Sequence, residues 1–229
     1  TSGYAVFGQK FTTSGADTPA SSGSQFQANT YTSSTQDYPS VASFSDGGFV
    51  VTWQSNNQPG DSSNEGIYAQ RYDANGSTDG GEFQVNTNVS SHQRHPDVTV
   101  LKHGDYVITW DSYHGDGSNE GIYAQRYNAD GSTDGGEFLV NTHTSSHQNY
   151  PSIDALDDGS FVITWQDASG HDGGSGWDIR AQHFNADGSK ATEVKLIGST
   201  ADETLAFDAA QSGIAIDLGD GIDRVDLGD

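Results

Sequence analysis

Val51-Thr52-Trp53, Ile108-Thr109-Trp110 and Ile163-Thr164-Trp165 are one pattern written three times, 57 and then 55 residues apart. Each copy keeps the same neighbours in the same order. A proline precedes it (Pro39, Pro96, Pro151), then a turn (Asp46-Gly47-Gly48, His103-Gly104-Asp105, Asp158-Gly159-Ser160). An Ala-Gln-basic-aromatic segment follows: Ala69-Gln70-Arg71-Tyr72, Ala124-Gln125-Arg126-Tyr127 and Ala181-Gln182-His183-Phe184. A half copy opens the chain, with Phe7-Gly8-Gln9-Lys10-Phe11 where Tyr68 to Tyr72 stand later. Self-similarity on this scale marks arrays and propellers, whose units bury their faces against one another.

Helical periodicity is missing, and alternation with turn chemistry takes its place. Phe49 to Trp53, Tyr106 to Trp110 and Phe161 to Trp165 read as strands, as do Ile67 to Tyr72 and Ile122 to Tyr127. The latter run into Asp73-Ala74-Asn75-Gly76 and Asn128-Ala129-Asp130-Gly131, and Asn185-Ala186-Asp187-Gly188 follows Phe184. The Asn-Gly and Asp-Gly pairs suit positive φ. Further strands are expected at Glu82 to Asn86, Glu137 to Asn141 and Glu193 to Ile197, and after each proline. The expected fold is all-β: tandem four-stranded antiparallel units, blade-like as in a β-propeller, three and a half in number. The units span about 1–36, 37–93, 94–148 and 149–197. Closed propellers have about four to eight blades. The chain is therefore expected to be part of something longer, its missing strands supplied by upstream repeats or a neighbouring copy.

Nine Lys and Arg against 32 Asp and Glu leave a net charge of −23, which disfavours nucleic acid and anionic membrane. Divalent cations would relieve such self-repulsion; a solvated acidic surface is the alternative. There is no cysteine, so neither disulfides nor thiolate metal sites can form. No run approaches the roughly 20 apolar residues of a membrane-spanning helix.

From Gly198 the composition changes to Gly, Asp and aliphatic residues. Leu218-Gly219-Asp220-Gly221-Ile222-Asp223-Arg224-Val225-Asp226 fits the Gly-Gly-x-Gly-x-Asp-x-aliphatic-x nonapeptide in all but its first glycine. Such turns offer carbonyls and a carboxylate, hard ligands suited to Ca²⁺. Asp223, Gly219 and Gly221 are the candidate ligands, with Asp217 and Asp226 nearby. The repeats, from Tyr38-Pro39-Ser40-Val41 through Gly48-Phe49-Val50-Val51-Thr52-Trp53 and Gly66-Ile67-Tyr68-Ala69-Gln70-Arg71-Tyr72 to Gly81-Glu82-Phe83-Gln84-Val85-Asn86, resemble units of large RTX-type bacterial secreted calcium-binding proteins and adhesins. The resemblance covers about residues 3–197, and the tail 198–229 is similar to the segment that lies beyond such arrays. It implies extracellular life and calcium, and no particular activity.

Trp53, Trp110 and Trp165 alternate in phase with large apolar residues and are read as core. Trp177 lies in a glycine-rich loop and is a candidate ligand contact. The loops after the tryptophan strands supply further candidates in Asp61, Asn64, Asp116, Asn119 and Asp172, able to meet Ca²⁺ or sugar hydroxyls, with plain turn chemistry as the alternative. The in-register bases Lys10, Arg71, Arg126 and His183 are expected to pair with Glu82, Glu137 or Glu193. No nucleophile elbow, P-loop or His-Glu-x-x-His occurs. The leading expectation is a non-catalytic extracellular calcium-binding adhesin or surface module, recognising glycans and associating with copies of itself, and not an enzyme. The alternatives are an architectural filament subunit and a secreted glycosidase or lyase on a propeller. An acidic cluster confined to one unit would favour the enzyme.

Overall fold

The computed structural model describes residues 3–10, 25–61, 64–89, 91–113, 115, 117–168, 170 and 176–191, with the backbone of 204–206 and 224–226. Every element among them is a strand. Two four-stranded antiparallel sheets follow one another. The first runs β3 (Gln36–Ser43), β4 (Phe49–Asn56), β5 (Glu65–Tyr72), β6 (Thr78–Gln84); the second runs β7 (Gln93–Val100), β8 (Tyr106–Tyr113), β9 (Glu120–Tyr127), β10 (Thr133–Leu139). A third sheet contains β11 (Gln148–Ala155), β12 (Phe161–Asp167) and β13 (Asp178–Phe184). Before them lies the pair β1 (Phe7–Gly8) and β2 (Phe26–Gln27). After them, β14 (Thr204–Ala206) pairs in parallel with β15 (Arg224–Asp226).

The all-β expectation holds, and the sequence explains the order within each sheet. The tryptophan strands are the most apolar runs and are interior, paired on both sides. The proline strands β3, β7 and β11 are edges, where a missing N–H removes no ladder bond. These strands begin before their prolines, with a shift of register at each, between Asp37 and Ser40, Arg94 and Asp97, and Asn149 and Ser152. The glycine of each Asn-Gly or Asp-Gly turn has positive φ, as at Gly76 and Gly131 (85° and 88°).

Each apolar core lies between successive units. Val6 and Ala28 of the half unit meet Val51, Trp53 and Tyr72. Val50, Ile67 and Val85 meet Val98, Ile108 and Trp110, and the second unit's Leu101, Val107 and Val140 meet Ile153, Ile163 and Trp165. Trp53 and Trp110 are 0% exposed and Trp165 4%, so all three are core. A sheet that buries one face only against its neighbour has no independent core, which is why the pattern must recur.

A polar clasp repeats at each seam. Asn29, Asn86 and Asn141 accept through Oδ1 from the backbone N–H groups of Val6, Ile67 and Ile122. Through Nδ2 they donate to Oε1 of Gln36, Gln93 and Gln148, the first residues of β3, β7 and β11. Both partners are buried throughout. The basic column departs from expectation. Arg71 pairs with Asp79 (2.9 Å) and Arg126 with Asp134 (3.2 Å), both within their own hairpins. Each guanidinium also reaches the next unit's turn, at the carbonyls of Ala129 and of Asp187 and Ala186. Glu82 and Glu137 instead accept from Thr30 and Thr87 of the preceding inter-unit segment. The aspartates lie across the hairpin from the arginines, at Asp79↔Arg71 and Asp134↔Arg126, and so are the nearer partners.

Candidate active site

The first strands of the three sheets pack side by side. Asp97 on β7 ties them together: its Oδ1 accepts from Ser40 Oγ (2.6 Å), and its Oδ2 accepts from Ser152 Oγ (3.0 Å) and the Ile153 N–H (2.9 Å). At one end of this strand cluster the residue before each proline, Tyr38, His95 and Tyr150, has left-handed backbone, with φ of 50°, 52° and 53°. A residue before proline ordinarily lies in the extended region, and non-glycine positive φ is a strained state that surroundings must impose. Three occurrences at one register position make this a built feature. The bulges turn the three side chains to the mouth of the cluster, where an open cavity of about 280 Å³ is lined by Tyr38, His95, Tyr150, the three prolines, Ser40 and Asp97.

His95 is the middle of that arrangement. Its ring meets Tyr38 edge-on at 4.7 Å and lies at 4.2 Å and 33° to Tyr150. Both tyrosines are 51% exposed. His95 Nδ1 lies 2.6 Å from Oδ1 of Asp111, at the end of β8, and that same oxygen accepts from the Tyr150 N–H at 3.2 Å. Asp111 is 1% exposed, and burial holds its carboxyl above the usual range; the hydrogen bond and charge of His95 oppose that, and Glu120 adds to it. An acceptor on Nδ1 selects the tautomer that carries its proton there and leaves Nε2 as a lone pair. Gln54 of the first unit carries the His95 backbone N–H at 3.4 Å.

Asp37, beside Tyr38, is a second perturbed acid. Burial raises its pKa, Glu65 raises it further, and His95 opposes the rise. Its Oδ1 is buried with no hydrogen-bond partner among the described residues. Glu65 is itself held by the segment that leads into and begins β7, with His92 Nδ1 at 2.9 Å and an ion pair to Arg94 Nε. Glu120 repeats this with His147.

Reading the repeats column by column exposes what makes the second unit different. Tyr38, His95 and Tyr150 form one column; Ser40, Asp97 and Ser152 another; Gln54, Asp111 and Gln166 a third. In all three columns only the second unit carries a histidine or a carboxylate. This column comparison is the signal that the sequence contained and that a motif scan passes over.

The expected site residues fall elsewhere. Asp61 Oδ2 accepts from Gln84 Nε2 at 2.9 Å, within its own unit. Asn64 offers its carbonyl to Asn57 N–H, and Asn119 N–H donates to Ser118 Oγ. These are turn interactions and do not converge. Trp177 is 55% exposed, with its ring 6.3 Å from that of His147. Asp116, Asp172, Asp217, Gly219, Gly221 and Asp223 lie outside the described residues, and of Asp226 only the backbone is described. Among the described residues no three acids or histidines gather as a metal site.

No family model matches the chain, and no curated protein matches it. Solved structures do. A microbial sialidase, Hz136, is 13% identical over 70% of this chain and 38% of its own, with a TM-score of 0.50. An endo-arabinase from Bacteroides thetaiotaomicron is 19% identical, covering 71% and 63%, with a TM-score of 0.45. An α-L-arabinofuranosidase from Lactobacillus brevis is 14% identical, covering 72% and 57%, with a TM-score of 0.48. The chain thus spans less than two thirds of each of these proteins. What is similar is the fold, a propeller-like array of antiparallel sheets. The expectation of a non-catalytic adhesin, and of no enzyme, is corrected here. The solved structure with a TM-score of 0.50 is a sialidase by name, and not an adhesin. The units diverge from one another on their first strands, at Tyr38, His95 and Tyr150.

Proposed function

We propose that the chain is the sugar-processing portion of a carbohydrate-active enzyme, with its centre at the mouth formed by Tyr38, His95 and Tyr150. One observation carries this reading: in a molecule of near-identical repeats, the second unit places a histidine and two carboxylates, His95, Asp97 and Asp111, where its sisters carry tyrosine, serine and glutamine at the mouth and its supports.

The chemistry rests on Asp37 and His95. Asp37, kept protonated to higher pH by burial and by Glu65, donates its proton to the leaving oxygen of a glycosidic bond as the bond to the anomeric carbon breaks. His95, with its Nδ1 proton held by Asp111, takes a proton at Nε2 from the water that attacks that carbon. The products are two sugars, and the next water and proton exchange restore both groups. Tyr38 and Tyr150 present half-exposed rings suited to the apolar face of a sugar. Asp97 touches strands and not substrate; it is a positioning residue.

Assay on arabinan, xylan and aryl glycosides tests the proposal. His95→Ala and Asp37→Asn are each expected to lower kcat about 10²- to 10⁴-fold, as loss of a general acid or base does, with the fold retained by circular dichroism. Wild-type activity that survives both substitutions would sink it.

We propose further that the tail 198–229 binds Ca²⁺ and that the protein works outside the cell. What supports this is the nonapeptide fit at 218–226 and the charge of −23. Millimolar Ca²⁺ against EDTA is expected to raise the melting temperature of the full chain, by preferential binding to the folded state.

A further inference from the structure

We infer that Trp177, with His147, forms a second sugar-binding position beside the mouth, so that the substrate is an extended neutral glycan and not a single sugar; this rests on the glycan-cleaving reading. Trp177 stands in the column of Glu65 and Glu120, which are paired to His92 and Arg94, and to His147, at the start of the next sheet. The third unit replaces that acid by the largest aromatic residue. Its ring is 55% exposed beside His147, at 6.3 Å and 40°. Core demand does not explain it, since Trp53, Trp110 and Trp165 fill that role and are buried.

Strand register places this position at the mouth's end of the sheet. Gln148 pairs with Asp167, and Asp167 with Asp178, so the residue next to Trp177 is in one row with the start of β11. Two strand spacings separate them, about 10 Å. Tyr150 is two residues along β11 from Gln148, where it lines the mouth. With three residues of offset along the strands as well, Tyr150 and Trp177 are about 14 Å apart, a distance that a chain of sugars spans and one sugar does not. The chain carries a net charge of −23, which repels an anionic polymer. A neutral glycan meets no such barrier.

Because the three repeat tryptophans are buried, acrylamide quenching of intrinsic fluorescence reports on Trp177. The full chain is titrated with arabinopentaose and xylopentaose, with arabinose, xylose and pentagalacturonate as comparisons. Protection from quenching by a neutral pentasaccharide, and not by its monosaccharide, is expected. Trp177→Ala is expected to raise KM for the polymer about tenfold while leaving an aryl monoglycoside unaffected. Absence of protection by both neutral pentasaccharides overturns the inference, as does equal protection by the single sugars or stronger protection by pentagalacturonate. Protection by a protein that cleaves none of these substrates overturns the catalytic reading and leaves the Trp177 position standing.

Discussion

The first and second units share almost every structural residue and differ where they face the common mouth. Trp53 and Trp110 are both fully buried, Asn86 and Asn141 make the same clasp, and Arg71 and Arg126 reach the same turn of the next unit. Against that constancy, Tyr38 becomes His95 and Gln54 becomes Asp111. Residues that hold one unit to the next are constrained in every copy, because each seam solves the same packing problem. Residues at the mouth are shared by all copies, so only one of them has to supply each group.

The comparison can be broken by making the second unit resemble its sisters. The double variant His95→Tyr, Asp111→Gln restores the repeat at two columns. It is expected to fold, with circular dichroism and melting close to wild type, and to lose about 10²- to 10⁴-fold in glycan cleavage. Retained activity would mean that the divergence has no catalytic meaning. The frame is expected to answer oppositely. Trp110→Ala should lower unfolding free energy by about 3–5 kcal/mol in urea titration, and Trp53→Ala by a similar amount, whichever unit is altered. A smaller effect is expected at the clasp, where Asn86→Ala strands the Ile67 N–H and Gln93 and should cost about 1–3 kcal/mol by the same measurement.

The finest distinction is in pH. Burial raises the folded-state pKa of Asp111 above its ordinary 3.8, so the folded protein holds this proton more tightly than the unfolded chain. Stability from this group is therefore full below about pH 4 and falls as pH rises through the folded value. His95 moderates the fall and Glu120 deepens it. Asp111→Asn removes the titration, so the variant should gain on wild type between about pH 4 and pH 7 in paired urea midpoints. A constant difference across that range would show that His95 compensates Asp111 fully.

Much of the frame was legible in the chain. Strands β4, β5, β8, β9 and β12 lie where alternation and turn residues put them, since both signals are local. Boundaries were less so. β6 begins at Thr78, ahead of the expected Glu82, and β3 begins at Gln36, ahead of Pro39. Both extensions pass through a shift of register, which hydrophobic period cannot reveal. The site was nearly illegible. His95 is one of eight histidines and Asp111 one of 32 acids. Nothing in their immediate neighbours marks them, because their partners come from other strands and other units. Trp177 was visible because its surroundings lack apolar alternation, and the structure shows it exposed. The pairing of Arg71 with Asp79 in place of Glu82 depended on cross-strand register, which the sequence leaves open.

The buried asparagine at each seam has a consequence for how the array comes apart. Asn86 completes the ladder of its own sheet at Ile67 and at the same time seats Gln93, the first residue of the next. One side chain thus belongs to two units, and neither can open without releasing the other's hydrogen bond. Thermal or mechanical unravelling should therefore travel across several repeats in a single step, and hydrogen exchange should report shared rates for Ile67, Ile122 and the strands they anchor. The units are copies in sequence, yet in cooperativity they are one object.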